Sequence, residues 1–391
     1  MLSDNLCKSS KSDRLTFNDV FTGKDNNFNF IRVVAASFVL LSHCYPLAGM
    51  NNFDPFYYYL GGYDTGGGYG VAIFFVISGF LVTKSVLQHD LMSYLLSRLL
   101  RIVPGLAFAL IFSAFVIGPI VTQKPLSYYL LSHETWRYLE GVNVFAIRQD
   151  LPGVFLANPE AKIVNGSLWT LPIEFGFYLI LPVIGGLGLL KRWTALGVLL
   201  AGIVSYAALV LVFHFSWNAQ GGNLFRGAPV FSTARNFIFF FSGASLWLWR
   251  DRIIYSRGMA IVMVIMLYIF SVNSYKTAVF YIALPYIVMY LAFSRSDILG
   301  MYKRVGDYSY GVYIYAFPVQ QFIVAKMDGV SPLALFVIAA PITLLLAVAS
   351  WHIVEHPALR LRERIFRREN SPGPAALVRS CRERDFNVGR N

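Results

Sequence analysis

Charge is what this chain has least of. Only 14% of its 391 residues are Asp, Glu, Lys or Arg, where a soluble domain carries roughly 25%. So little polar surface cannot cover the 56% of residues that are hydrophobic, which excludes a water-soluble globule. Cysteine is almost missing. Cys7, Cys44 and Cys381 offer neither a disulfide framework nor metal-ligand spacing. The six histidines do not cluster, so no metal site is expected. Strand patterning is absent, because the apolar runs are continuous rather than alternating. No internal repeat is visible, which removes support for an inverted-repeat transporter.

Long apolar runs are what the chain does have. About 20 helical residues cross a hydrocarbon layer roughly 30 Å thick. Ten segments read as spans: 30–48, 69–87, 105–122, 167–190, 193–214, 231–249, 258–272, 277–293, 308–326 and 333–354. Only helices or closed barrels satisfy backbone groups in lipid. The expected fold is therefore all-α, a polytopic integral membrane protein of about ten transmembrane helices. The first 29 residues are polar and the first apolar run is long enough to span, so no cleavable signal peptide is expected.

The net charge of +12 raises the question of a nucleic-acid partner, and its distribution answers it. With the N-terminus inside, segments 1–29, 84–104, 191–192, 250–257, 295–304 and 355–391 face the cytoplasm. They hold 24 of the 33 Lys and Arg. This is the positive-inside bias, so no nucleic acid is expected and both termini read as cytoplasmic. The expected division is a cytoplasmic segment 1–29, a membrane domain 30–360 and a flexible basic tail 361–391 near anionic lipid heads.

Ionisable groups inside spans are costly and become functional candidates by default. Arg32 and His43 in the first span are eleven residues apart, within about 20° of whole helical turns. They share one face, about 16 Å apart along the axis. Glu174 in the fourth span is expected at a depth similar to His43, where a carboxylate would orient the histidine and raise its basicity. The bland alternative pairs Glu174 with Arg235. Ser78-Gly79 in the second span is a small patch that admits a neighbouring helix or a thin ligand. Gly61 to Gly70 read as a flexible outer loop. Arg98 and Arg101, three residues apart, make either a fork for phosphate oxygens or plain topology charge.

Taken in order, these segments resemble the membrane-bound acyltransferase family 3. The resemblance rests on Arg32 with His43, Phe74-Phe75-Val76-Ile77-Ser78-Gly79-Phe80, Arg98-x-x-Arg101, Asn165 to Glu174, Ser309-Tyr310-Gly311-Val312-Tyr313 and Val354-Glu355-His356-Pro357. It covers about 25–360. One departure is Ala316, where many members carry a histidine.

The resemblance implies transfer of an acyl group, most often acetyl, onto a carbohydrate such as exopolysaccharide, lipopolysaccharide or a Nod-factor-like glycan. Its donor would be acyl-CoA, a substrate rather than a resident cofactor, and its home a bacterial inner membrane. Arg98 and Arg101, with Ser78, would then meet the donor from the cytoplasm. His43 would take the proton from a sugar hydroxyl, assisted by Glu174 and Arg32, and a transient acyl-His43 stays open. Trp169, Asn165 and Arg235 are the candidate acceptor contacts, and Trp136 and Tyr138 offer outer aromatic surface for sugar rings. Partners are membrane lipid, the glycan and acyl-CoA, with room for a homo-oligomer. The rivals are a transporter or flippase of a lipid-linked sugar, and a membrane sensor with structural charges only.

Overall fold

A computed structural model describes residues 15–21, 26–51, 53–216, 220–225, 228–271, 275–294 and 306–361. The basic tail, the 295–304 segment, Cys7 and Cys381 lie outside the described residues. Among the described residues the fold is all-α apart from one short antiparallel pair, Asn223–Phe225 with Ala228–Pro229.

Among the described residues, ten long helices form where the apolar runs require backbone satisfaction within one segment. They are α1 (Phe28–Leu47), α2 (Gly66–Gln88), α3 (Leu91–Phe112), α4 (Thr170–Gly186), α5 (Arg192–Leu211), α6 (Val230–Leu248), α7 (Arg257–Ile269), α8 (Lys276–Phe293), α9 (Ser309–Lys326) and α10 (Pro332–Ser350). Among the described residues, seven helical segments are long and apolar enough to cross a membrane. The three that are not are α6, α7 and α9. Helix α7 has 13 residues, too few to cross alone. Helices α6 and α9 bury polar side chains against their neighbours, Asn236 on one and Gln320 and Gln321 on the other.

Helix α2 is the centre, packed most heavily on α6 and α1. A Cβ at Gly79 would overlap the carbonyl oxygen of Phe240, and one at Gly243 would overlap that of Val76. The two backbones cross in contact, and only glycine fits there. At the rim the exposed face is apolar: Trp193, Val204 and Leu211 on α5 and Tyr268 and Ile269 on α7. A helix as apolar as α5 with almost nothing buried is stable only against lipid. This is a multi-pass membrane protein.

Local boundaries change in places. The arginine pair, expected ahead of the span at 105–122, lies in the same helix as that span. Helix α3 starts at Leu91, capped by the Asp90 carboxylate on the Ser93 amide at 2.8 Å, and runs through Pro104. Neighbouring contacts hold it: the Tyr310 hydroxyl donates to the Ile102 carbonyl at 2.8 Å. It continues through a π turn, Ser113–Ile117, to Val121. Gly66 to Gly70 are likewise not a flexible loop but the first turn of α2. Thr65 caps that turn, and each small residue admits a neighbour: Gly70 faces the Ala35 carbonyl and Gly68 the Asp64 carboxylate. The 123–166 segment is an ordered cap of short helices and turns. In it Tyr138 is fully buried, so it offers nothing to a sugar ring, whereas Trp136 is exposed.

Candidate active site

Two neighbouring cavities among the described residues hold most of the site residues expected from sequence. The larger, about 400 Å3, takes its walls from α1, α2, α3, α4 and α9. Its charges begin with Asp307, just before α9. Arg101 Nη2 reaches Asp307 Oδ2 at 2.6 Å and Arg32 Nη1 reaches the same oxygen at 3.2 Å. Ser309 Oγ donates to Asp307 Oδ1 at 2.5 Å. Burial pushes the Asp307 carboxyl up, but Arg101, Arg32 and Ser309 outweigh it and hold the group below its ordinary range. Arg101 also faces the buried Glu355 at 3.5 Å. Glu355 lies on the π turn Trp351–Glu355 that follows α10.

Arg98 differs. No carboxylate among the described residues pairs with it. Its guanidinium stands 5.7 Å from the Tyr178 ring centroid and 5.9 Å from that of Tyr94, and Nε donates to Ser97 Oγ at 3.3 Å. The two arginines expected to act as one fork therefore have different surroundings. Arg101 is neutralised by carboxylates and Arg98 is not. In the same cavity Ser78 Oγ donates to Glu174 Oε1 at 3.0 Å, and the Tyr178 hydroxyl donates to that oxygen too.

The second cavity, about 300 Å3, holds His43, Asp54, Asp64, Trp169 and Arg235. His43 Nδ1 is buried and has no hydrogen-bond partner among the described residues. The imidazole and the Phe317 ring pack edge to face, with ring centroids 5.2 Å apart. Asp54 caps the short helix Pro55–Tyr59 through the Phe56 amide at 2.8 Å and accepts from Ser42 Oγ at 2.5 Å. Arg235 is ion-paired with Asp64, both buried.

Of the site residues expected from sequence, Arg32, Arg98, Arg101, Ser78 and Glu174 share the first cavity. His43, Trp169 and Arg235 share the second. His43 and Glu174 line different cavities. Trp169 marks where α4 faces the histidine, and Glu174 lies five residues further, about 7 Å along the axis. Glu174 and Arg235 are divided in the same way. Asn165 lines neither cavity. Its amide is spent on the Ile314 carbonyl at 2.8 Å and its oxygen caps the turn at Ser167. Asp307, Asp54, Asp64 and Tyr178 escaped the sequence reading, and Tyr313 entered it only as part of a resembling segment. Asp307 carried one signal, a lone acid at the mouth of an apolar run. Ala316 is packed in the core with Ala36 and Leu40.

The cavities abut. Val71 on α2 and Tyr313 on α9 line both. Along α2 the walls are built in sequence from Gly67 and Gly68, then Val71, then Phe74 and Phe75, then Ser78. Steps of three and four keep these on one face of a helix. Among the described residues no three His, Cys, Asp or Glu side chains gather as a metal would need.

Comparison with known proteins gives this arrangement its setting. The family model described as an acyltransferase domain matches residues 25–352. An O-acetyl transferase of Shigella phage Sf6 is 32% identical over 348 residues, covering 85% of this chain and 95% of that protein. Nodulation protein 10 of Rhizobium leguminosarum bv. viciae is 28% identical over 383 residues, covering 90% of this chain and 98% of that protein. No solved structure matches. A helical membrane body with basic and histidine-bearing cavities end to end, matched by that family model over most of its length, makes this chain an enzyme of the acyltransferase 3 family.

Proposed function

We propose that this enzyme moves an acyl group, acetyl in the simplest case, from acyl-CoA to a hydroxyl of a surface carbohydrate such as exopolysaccharide, lipopolysaccharide or a Nod-factor-like glycan. The observation that carries the reading is the pair of abutting cavities. One offers Arg98, a cation with no carboxylate partner among the described residues, and the other offers His43 with its buried, unpartnered Nδ1. A guanidinium suits the phosphates of coenzyme A, and a neutral imidazole suits a hydroxyl that must lose a proton as it attacks. The likeness to a phage O-acetyl transferase supports an oxygen acceptor and an acetyl donor.

In this reading the chain lies in a bacterial inner membrane with about ten spans and both termini cytoplasmic. The arginine cavity faces the cytoplasm, where acyl-CoA is made, and the histidine cavity faces outward to the glycan. The donor's phosphates sit at Arg98, with the Arg32–Asp307–Arg101 cluster as the floor beneath them. The arm runs toward His43. The sugar oxygen attacks the thioester carbonyl as a ring nitrogen of His43 takes the hydroxyl proton. The C–O bond forms, the C–S bond breaks, and that proton passes to the departing coenzyme A sulfur. Trp169 lies beside the acceptor. Glu174, held by Ser78 and Tyr178, lines the donor's path rather than orienting the histidine.

Mass spectrometry of surface glycans from cells with and without the protein tests this. One acyl group gained per modified sugar is expected. Identical glycans in both cells would defeat the reading.

A further inference from the structure

We infer that Val71 and Tyr313 form a rigid neck that the thioester end of the donor's arm threads, and that this neck passes straight-chain acyl groups and rejects branched ones. The inference rests on the donor and acceptor sides proposed above. Both residues are almost fully buried, at 7% and 6% exposure, yet they line both cavities. Val71 is the residue of the α2 stripe, and Tyr313 the residue of α9, at which the walls of the two chambers coincide. Gly67 and Gly68 precede Val71 on the histidine side, and Phe74 and Phe75 follow it on the arginine side.

Both walls are stiff. The Tyr313 hydroxyl donates to the Ser167 carbonyl at 2.7 Å and shares a hydrogen bond with Thr170 Oγ1 at 2.6 Å. It is thereby tied to the start of α4. The ring also packs edge-on against Phe74, centroids 5.8 Å apart. Turning it aside would strand buried polar groups at Ser167 and Thr170. Val71 is β-branched in a helix and keeps essentially one rotamer. A gate that swings open would use freer side chains. Two fixed walls make an aperture, and an aperture sorts by width. Pantetheine and a straight acyl chain are slender. A branch carbon beside the carbonyl adds a methyl that the walls cannot yield to. One misfitting carbon in a fixed apolar site changes specificity by about 10–200-fold.

The test uses membranes that hold the protein and its own acceptor glycan, supplied in turn with acetyl-, propionyl- and isobutyryl-CoA. Glycan acylation is read by mass spectrometry. The wild type is expected to use the straight-chain donors and to discriminate against isobutyryl. Val71→Ala, which removes two methyls from the wall, should raise the isobutyryl-to-acetyl ratio by about tenfold or more. Val71→Phe should narrow the neck, leaving coenzyme A protection of the folded protein in place while glycan acylation falls by about tenfold or more. An unchanged ratio in Val71→Ala, a folded but inert Val71→Ala protein, or wild-type acylation by Val71→Phe overturns the neck. A wild type that uses none of the three thioesters overturns the donor assignment itself, and the neck with it.

Discussion

His43 keeps a buried ring nitrogen with no partner among the described residues, and an unsatisfied polar group of that kind costs roughly 1–3 kcal/mol. A side chain held at a cost to stability fits one reserved for substrate. His43→Ala should therefore lose glycan acylation by about a hundredfold or more while changing the Tm of the purified protein little. Near-normal acylation would remove the proposed base. The arginine pair should divide in the same way. Arg98→Ala, and also Arg98→Lys with its single point charge, should raise the KM for acyl-CoA without lowering Tm. Arg101→Ala leaves Glu355 buried without its ion pair, and loss of one partner from such a pair costs roughly 3–5 kcal/mol. Its main effect should be on the thermal melt. Equal melts for the two variants would count against the division.

Asp307 adds a pH dependence. Its carboxyl is held below the ordinary value of 3.8 in the folded protein. A depressed folded pKa gives stability that is present above the unfolded value and lost as pH falls through the folded one. The Tm difference between wild type and Asp307→Asn should be flat from about pH 8 to about pH 5 and shrink only in stronger acid. A difference that shrinks already near neutrality would contradict the depressed carboxyl.

At the scale of helices, the contact between α2 and α6 places the walls of both cavities. The Gly79 and Gly243 backbones touch the facing carbonyls, so any side chain forces the helices apart. Gly79→Ala should destabilise by about 1–3 kcal/mol or more, lowering Tm and acylation together, because the same helix carries Val71 and Ser78. Gly186→Ala at the end of α4, where an added Cβ meets nothing, should leave both unchanged. A tolerated Gly79→Ala would mean that the two helices can separate without cost. Sequence patterning located this small patch but missed why it matters, because the partner glycine lies 164 residues away in α6. The span expected to begin at 105 begins instead at Leu91, ahead of Pro104. Proline breaks an isolated helix, but α3 is held by neighbours, Tyr310 among them, that no local pattern reveals.

For the whole molecule, the proposed sidedness gives one measurement. Sealed vesicles of opposite orientation, each supplied with acetyl-CoA outside, should differ. Only those exposing the cytoplasmic face should acylate glycan. Equal activity in intact vesicles of both orientations would contradict a donor site open to one side.

Composition alone determined that this chain must live in lipid and be helical, because 14% charge cannot solvate it and its apolar runs are continuous. A helix appears at each of the ten expected segments. Sequence also singled out Arg32, His43, Arg98 and Glu174, since an ionisable group in an apolar run stands out against its neighbours. What it could not decide is which of them meet. Arg32 and His43 do lie on a common face of α1, as helical spacing requires, yet one face passes two cavities. Which carboxylate serves which base depends on how far each helix is shifted along its neighbour. The tertiary packing sets that shift, placing Glu174 with the arginines, Asp54 and Asp64 with the histidine, and Tyr313 between them.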